Sequence, residues 1–161
     1  MKLITILFLT TIYISVSGQR LTGKYNTYYG CSLELNADST FKHNWHFDLA
    51  SSWAVGHWTV SNEILYLNFK SIYDTLVREN MPDSLVLSAD EKSNKINNTE
   101  FLSYLLSSGR QLPRSDNGLT NRLAIRRNRL YLLDKDWQLM KKRESNIGTK
   151  KKRPTYYFRV E

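Results

Sequence analysis

With one cysteine, three prolines and three histidines in 161 residues, the chain excludes several kinds of protein before any motif is considered. Cys31 can form no internal disulfide, so packing must supply the stability that small exported domains often draw from cross-links. Its thiol reads first as a small buried hydrophobe, with a reactive group as the rarer alternative. Beyond residue 18 no apolar run approaches the roughly 20 residues that a membrane-crossing helix needs. Recognisable catalytic patterns are also missing: no nucleophile and base at a known spacing, no glycine-rich phosphate loop, no Cys/His arrangement. Asp134 and Asp136 in "DKD" share a side if extended, but turns between strands often look this way and no histidine lies near in sequence. A non-enzymatic protein without metal or cofactor is the expectation.

The ends say more. Met-Lys, the apolar "LITILFLTTIYISV" and then Ser17-Gly18-Gln19 have the order of a cleavable secretory signal, with small residues at the cut and an apolar part too short to span a bilayer comfortably. Residues 1–18 are therefore expected to be removed, leaving a single domain over residues 19–161. A lipid anchor would place a cysteine directly after the apolar run, whereas Cys31 lies well beyond it. The product is expected to be periplasmic or extracellular.

The rest of the chain reads as short strands separated by turns. "GKYNTYY" at 23–29 opens the series. "CSLEL" alternates Leu33 and Leu35 against Ser32 and Glu34, then turns through "NADS" into a run from Thr40 to Phe47. Ser39 falls where such a loop prefers glycine in the left-handed region. "AVGHWTV", "SNE" and "ILYLNF" read as a second hairpin, with Asn62 suited to a positive φ, and "DLASS" as a short connection between the two. "RLAI", "RRN" and "RLYLLD" repeat the same local design. "WQLMKKR" and "PTYYFRV" are expected to close the chain as a last hairpin, with Pro154 starting an outer strand. Tyr156, Phe158 and Val160 fall on one face, and Thr155, Tyr157 and Arg159 on the other. The segment at 99–108 reads as helix or strand; if helical, it is capped by Asn98 or Thr99 and stopped by Gly109. Asn97-Asn98-Thr99 also matches a glycosylation acceptor, to which no role is assigned. About ten strands with at most one short helix predict an all-β fold, an antiparallel meander barrel or half-open barrel.

"LTGKYNT", "LELNADSTF" and "GHWTVSNEILYL", together covering roughly residues 21–69, resemble the opening of the lipocalin-like (calycin-type) small β-barrel proteins exported by bacteria. That pattern runs G-x-W/Y, L-x-L-x-x-D-G-T-F and G-x-W; Ser39 departs from its glycine. The resemblance implies a meander barrel with an interior that can hold a ligand.

All three histidines lie in "KHNWH" and "GHW". On an extended strand Phe41, His43, Trp45 and Phe47 share one face while Lys42, Asn44 and His46 share the other. His43 and His46 therefore cannot grip one ion. His57 points opposite to Trp58, so at best it meets His46 across strands, one ligand short of the three protein ligands zinc normally takes. His43 reads as a satisfied core residue, or as the polar group of an aromatic-lined pocket in which Phe41, His43, Trp45 and Trp58 surround a small apolar ligand. With four Trp, ten Tyr and six Phe, a barrel filled by its own side chains is an equal expectation.

Charge is segregated. Residues 19–100 carry 7 Lys and Arg against 10 Asp and Glu, and residues 101–161 carry 15 against 5, a net of −3 followed by +10. Arg126, Arg127 and Arg129, then Lys141, Lys142 and Arg143, then Lys150, Lys151, Lys152 and Arg153 read either as solvated loop charges without a partner or as a cationic patch formed where neighbouring hairpin tips meet. For an exported protein its natural partners are acidic glycans or an anionic lipid surface, and nucleic acid is the less natural one.

Overall fold

The computed structural model describes residues 21–106, 109–111, 121–141, 143–145 and 150–160, and in it the alternation of apolar and polar residues wraps a sheet into a closed barrel. The first five strands are β1 (Gly23–Asn26), β2 (Cys31–Leu35), β3 (Thr40–Phe47), β4 (Ala50–Ser61) and β5 (Ile64–Lys70). An excursion follows, made of β6 (Tyr73–Arg78), β7 (Met81–Leu87), β8 (Lys95–Ile96), the helix α1 (Asn98–Leu106) and β9 (Gly109–Gln111). The chain re-enters the barrel as β10 (Arg122–Arg126) and β11 (Arg129–Leu132), leaves it in an arm carrying β12 (Arg143–Ser145) and β13 (Lys152–Pro154), and returns as β14 (Tyr157–Val160). From β1 to β5, then through β10, β11 and β14, each strand pairs antiparallel with the next, and β14 pairs with β1. The all-β meander barrel is closed by eight strands, and α1 is the one helix among the described residues. Closure also removes the unpaired edges through which open sheets aggregate.

Register decides what faces inward. Cys31, Leu33 and Leu35 lie opposite Trp45, His43 and Phe41, and these in turn lie opposite Ser52, Ala54 and Gly56. Directly opposed residues share a face, so all nine point into the lumen. Tyr25, Leu33, Leu35, Phe41, Trp58, Leu65, Leu67, Leu123, Leu130 and Tyr157 form one buried cluster there. Each fully buried leucine contributes about 1.5–3 kcal/mol relative to an exposed one. The polar tips of the aromatics are satisfied at the rim: the Tyr25 hydroxyl donates to Leu21 O at 2.9 Å, and Trp58 Nε1 donates to Asn36 O at 3.1 Å.

Turn chemistry follows the residues present. Ser39 does take the left-handed conformation that glycine would adopt freely, at φ 65°. Asn62 and Glu63 both have positive φ, the pattern of a two-residue hairpin loop whose twist matches its strands. The β10–β11 loop repeats this design only in part, since there Arg127 alone is left-handed. "DLASS" is shorter than a connection: β3 runs to Phe47 and β4 starts at Ala50, leaving a turn of Asp48 and Leu49. The closing hairpin is also revised. The basic segments pair with each other, Arg143 opposite Pro154 and Ser145 opposite Lys152, so Pro154 ends β13 rather than opening an outer strand. β14 is claimed by β1 and β11 because its inner face carries Tyr157.

The excursion lies on the outer wall. β9 runs parallel to β4, with Gln111 beside Trp53, and Trp53 Nε1 donates to Ala89 O at 3.1 Å. Trp53 thus points away from the lumen and is still only 9% exposed. Gln111 imitates a strand: its Oε1 accepts from Ile72 N and its Nε2 donates to Ile72 O, both at 2.9 Å. Helix α1 is capped one residue earlier than expected. Glu100 N donates to Asn97 Oδ1 at 3.0 Å while Asn97 N donates to Glu100 Oε2 at 2.8 Å, a reciprocal capping box that needs its acid three residues after the cap. Gly109 begins β9.

Candidate functional site

The lumen holds one buried polar network. His43, 2% exposed, stands on β3 and reaches across to β14, where its Nε2 lies 3.0 Å from the Tyr157 hydroxyl. The Cys31 thiol on β2 lies beside the Tyr157 hydroxyl, and Cys31 N donates to Thr27 Oγ1 at 3.2 Å. Burial holds the imidazole neutral, pushing its pKa down from 6.5 to about 4, because a charge there would lose its water without gaining a counter-ion. Burial likewise raises the Tyr157 hydroxyl far above the usual phenol value and raises the Cys31 thiol. His43 Nδ1 is buried and has no hydrogen-bond partner. A bare ring nitrogen is less costly there than an orphaned N–H, which favours a proton on Nε2 donated to the Tyr157 hydroxyl.

The four residues expected around a lumenal ligand share the inner face without sharing one spot. Phe41 is packed edge-on against Phe69 at 5.4 Å. Trp45 lies opposite Ser52, and Trp58 is six residues farther along β4, roughly 20 Å at strand spacing. The inner face opens gradually along β3: Phe41 and His43 are buried, Trp45 is half-buried, and Phe47 is 37% exposed. His46 and His57 point outward and do not meet. His57 is opposite Thr40 and His46 opposite Ser51, again roughly 20 Å apart. Among the described residues no group of three or more His, Cys, Asp or Glu is placed to hold a metal ion.

The basic residues behave differently from the expectation of adjoining tips. The loop carrying Arg127 is at one end of the barrel, while the arm with Lys141, Arg143 and Lys150 to Arg153 leaves from the other end. They meet because the arm lies back along the outer wall. A cleft of about 410 Å³ forms beneath it, with Arg126 and Tyr131 from the wall, Tyr156 leading into β14, and Leu139, Lys141 and Arg143 from the arm. Tyr131 and Tyr156 form its floor, with ring centroids 5.1 Å apart. Arg129 sits over the Tyr156 ring at 4.6 Å, and Arg153 over the Tyr28 ring at 4.9 Å, each worth about 0.5–1 kcal/mol at exposed sites. Arg126 holds Glu63 in an ion pair. The Tyr29 hydroxyl reaches the Glu144 and Arg153 carbonyl oxygens, pinning the arm's hairpin to the turn after β1. Arg127, Lys150, Lys151 and Lys152 are exposed outside this cleft, and Lys142 lies outside the described residues.

Tyr131 and Tyr156 escaped sequence reasoning as site residues. The signal available was their outward phase: Tyr131 follows Arg129 two residues on along β11, and Tyr156 leads into the outward Phe158 and Val160. Comparison with family models, curated proteins and solved structures found no match.

Proposed function

We propose that this is an exported, non-catalytic binding protein that takes an acidic ligand in the cleft between its outer wall and the arm. The observation that carries this reading is the convergence of Arg126, Lys141 and Arg143 around a floor made by Tyr131 and Tyr156. Guanidinium groups present paired N–H donors that match carboxylate or sulfate oxygens, and the tyrosines add hydroxyls for neighbouring polar groups. Because the cations are solvent-facing, binding rests on charge and weakens with salt. Retention on a heparin matrix tests this. The protein is expected to bind at low salt and elute as salt rises, and Lys141→Ala with Arg143→Ala to lower affinity about tenfold, or about 1.4 kcal/mol. Retention that is indifferent to salt, or unchanged in the double variant, refutes it.

A second reading places a small apolar ligand in the upper lumen. It is favoured by the unpartnered His43 Nδ1 and by the progressive opening of the inner face toward Trp45 and Phe47. Titration with fatty acids, sterols or isoprenoids is then expected to alter Trp45 fluorescence, and an unchanged signal together with failed probe displacement removes the reading.

A further inference from the structure

A second depression, about 940 Å³ in volume, lies at the end of the barrel that carries the β2–β3 and β10–β11 turns and is lined by Lys24, Arg129 and Phe158 among others. Arg129 belongs to both. It lines this depression, and its guanidinium covers Tyr156, which lines the cleft under the arm. Along β14 the outward residues Tyr156, Phe158 and Val160 follow one another at about 7 Å, so the path from cleft to depression is about 13 Å of extended strand. Phe158 lies opposite Arg129 in register and packs against Tyr28 at 4.9 Å.

We infer that the cleft and the depression form one track, bridged by Arg129, for a linear acidic polysaccharide rather than for a small anion. The inference rests on the acidic-ligand reading and extends it to the shape of the ligand. Five cations line the track, Arg126, Lys141, Arg143, Arg129 and Lys24, while Arg159 shares the inner face of β14 with Tyr157 and donates to Thr22 O at 2.7 Å. Two of them already hold acids, Arg126 with Glu63 and Lys24 with Glu34 at 3.7 Å, so the attraction is spaced along the path instead of concentrated at one point. That spacing suits a chain with an acid group repeated along it. A flat anionic bilayer cannot follow two concave sites beneath an arm. Single-stranded nucleic acid would need open ring faces on which bases stack, yet Arg129 covers Tyr156 and Arg153 covers Tyr28. A stacked guanidinium keeps its in-plane N–H donors for carboxylate or sulfate, and sugar hydroxyls meet the phenols.

The experiment measures the affinity of the full chain for a heparin-derived disaccharide and octasaccharide, with a single-stranded oligonucleotide of similar charge as competitor. The octasaccharide is expected to bind at least tenfold more tightly than the disaccharide, beyond the few-fold that repeated registers supply. In Arg129→Gln, and separately in Lys24→Gln, the ratio of the two affinities is expected to fall toward one. Both side chains are exposed, and far-UV circular dichroism checks that each variant keeps the sheet. Equal affinity for the two lengths, or an unchanged ratio in both variants, overturns the single track while leaving the cleft as a site. Failure of both saccharides to bind overturns the acidic-glycan reading itself, and tighter binding of the oligonucleotide overturns the choice of polysaccharide.

Discussion

Lowering the pH should destabilise this barrel through His43 before the ordinary carboxylate range is reached. In the folded protein the imidazole is 2% exposed, its Nδ1 has no partner, and its pKa is about 4 against 6.5 for a free side chain. The groups that face it, the Tyr157 hydroxyl and through it the Cys31 thiol, are both raised by burial and so supply no negative charge to a protonated ring. Because the folded value lies below the unfolded one, the unfolded chain binds the extra proton in between. Stability is therefore complete above about pH 7 and declines as the pH falls from 6.5 toward 4. With those two values, linkage predicts a loss of about 2 kcal/mol at pH 5 and about 3 kcal/mol at pH 4. That is a large part of the 5–15 kcal/mol typical of a domain. Urea unfolding followed by tryptophan fluorescence at pH 7.5 and pH 5 measures it, with His43→Gln as the reference in which other titrating groups cancel. The native chain should lose about 2 kcal/mol more than the variant between the two pH values. An equal loss in both would show that His43 is not held neutral by burial.

Two further outcomes test the fold that carries the sites. A Cβ on Gly56 would lie 2.0 Å from the Asn68 carbonyl oxygen, which cannot yield without parting β4 from β5, and 2.9 Å from the Phe41 ring, already packed against Phe69. Gly56→Ala should cost at least about 2 kcal/mol of overpacking strain, and a melting temperature equal to that of the native chain would refute the packing described. Gln111→Ala removes both of the side-chain bonds to Ile72; Ile72 O keeps its bond from Ser88 N, but the half-buried Ile72 N–H is left without a partner, a cost of about 1–3 kcal/mol. Hydrogen exchange should then quicken around Ile72 while the β1 to β3 amides stay protected; unchanged exchange at Ile72 would remove Gln111 from its role as a surrogate strand.

How much of this was legible in the chain can be followed residue by residue. The alternation from Phe41 to Phe47 correctly separated Phe41 and His43 from His46, and the same parity separated Tyr157 from Phe158 on β14. Ser39 could be recognised as a left-handed position because hairpin geometry is local. The depth of burial was harder to read. Phe47 has the same parity as Phe41 but stands at the open end of the barrel, where the facing strands no longer cover it. Trp53 has the parity of an outward residue and is nevertheless covered, because a segment about forty residues away folds back over it.

Composition and period, being properties of neighbouring residues, were enough to determine an all-β chain, the shared faces of Leu33 with Leu35 and of Phe41 with His43, and the basic character of its last third. The distance between His46 and His57 depends on strand register, and the meeting of Arg126 with Lys141 and Arg143 depends on where an arm of more than ten residues comes to rest. Neither is set by local propensity. The first is decided by the pairing of β3 with β4, and the second when β14 pairs with β1 and β11, because closing the ring fixes which outer surface the arm must cross to reach its last strand.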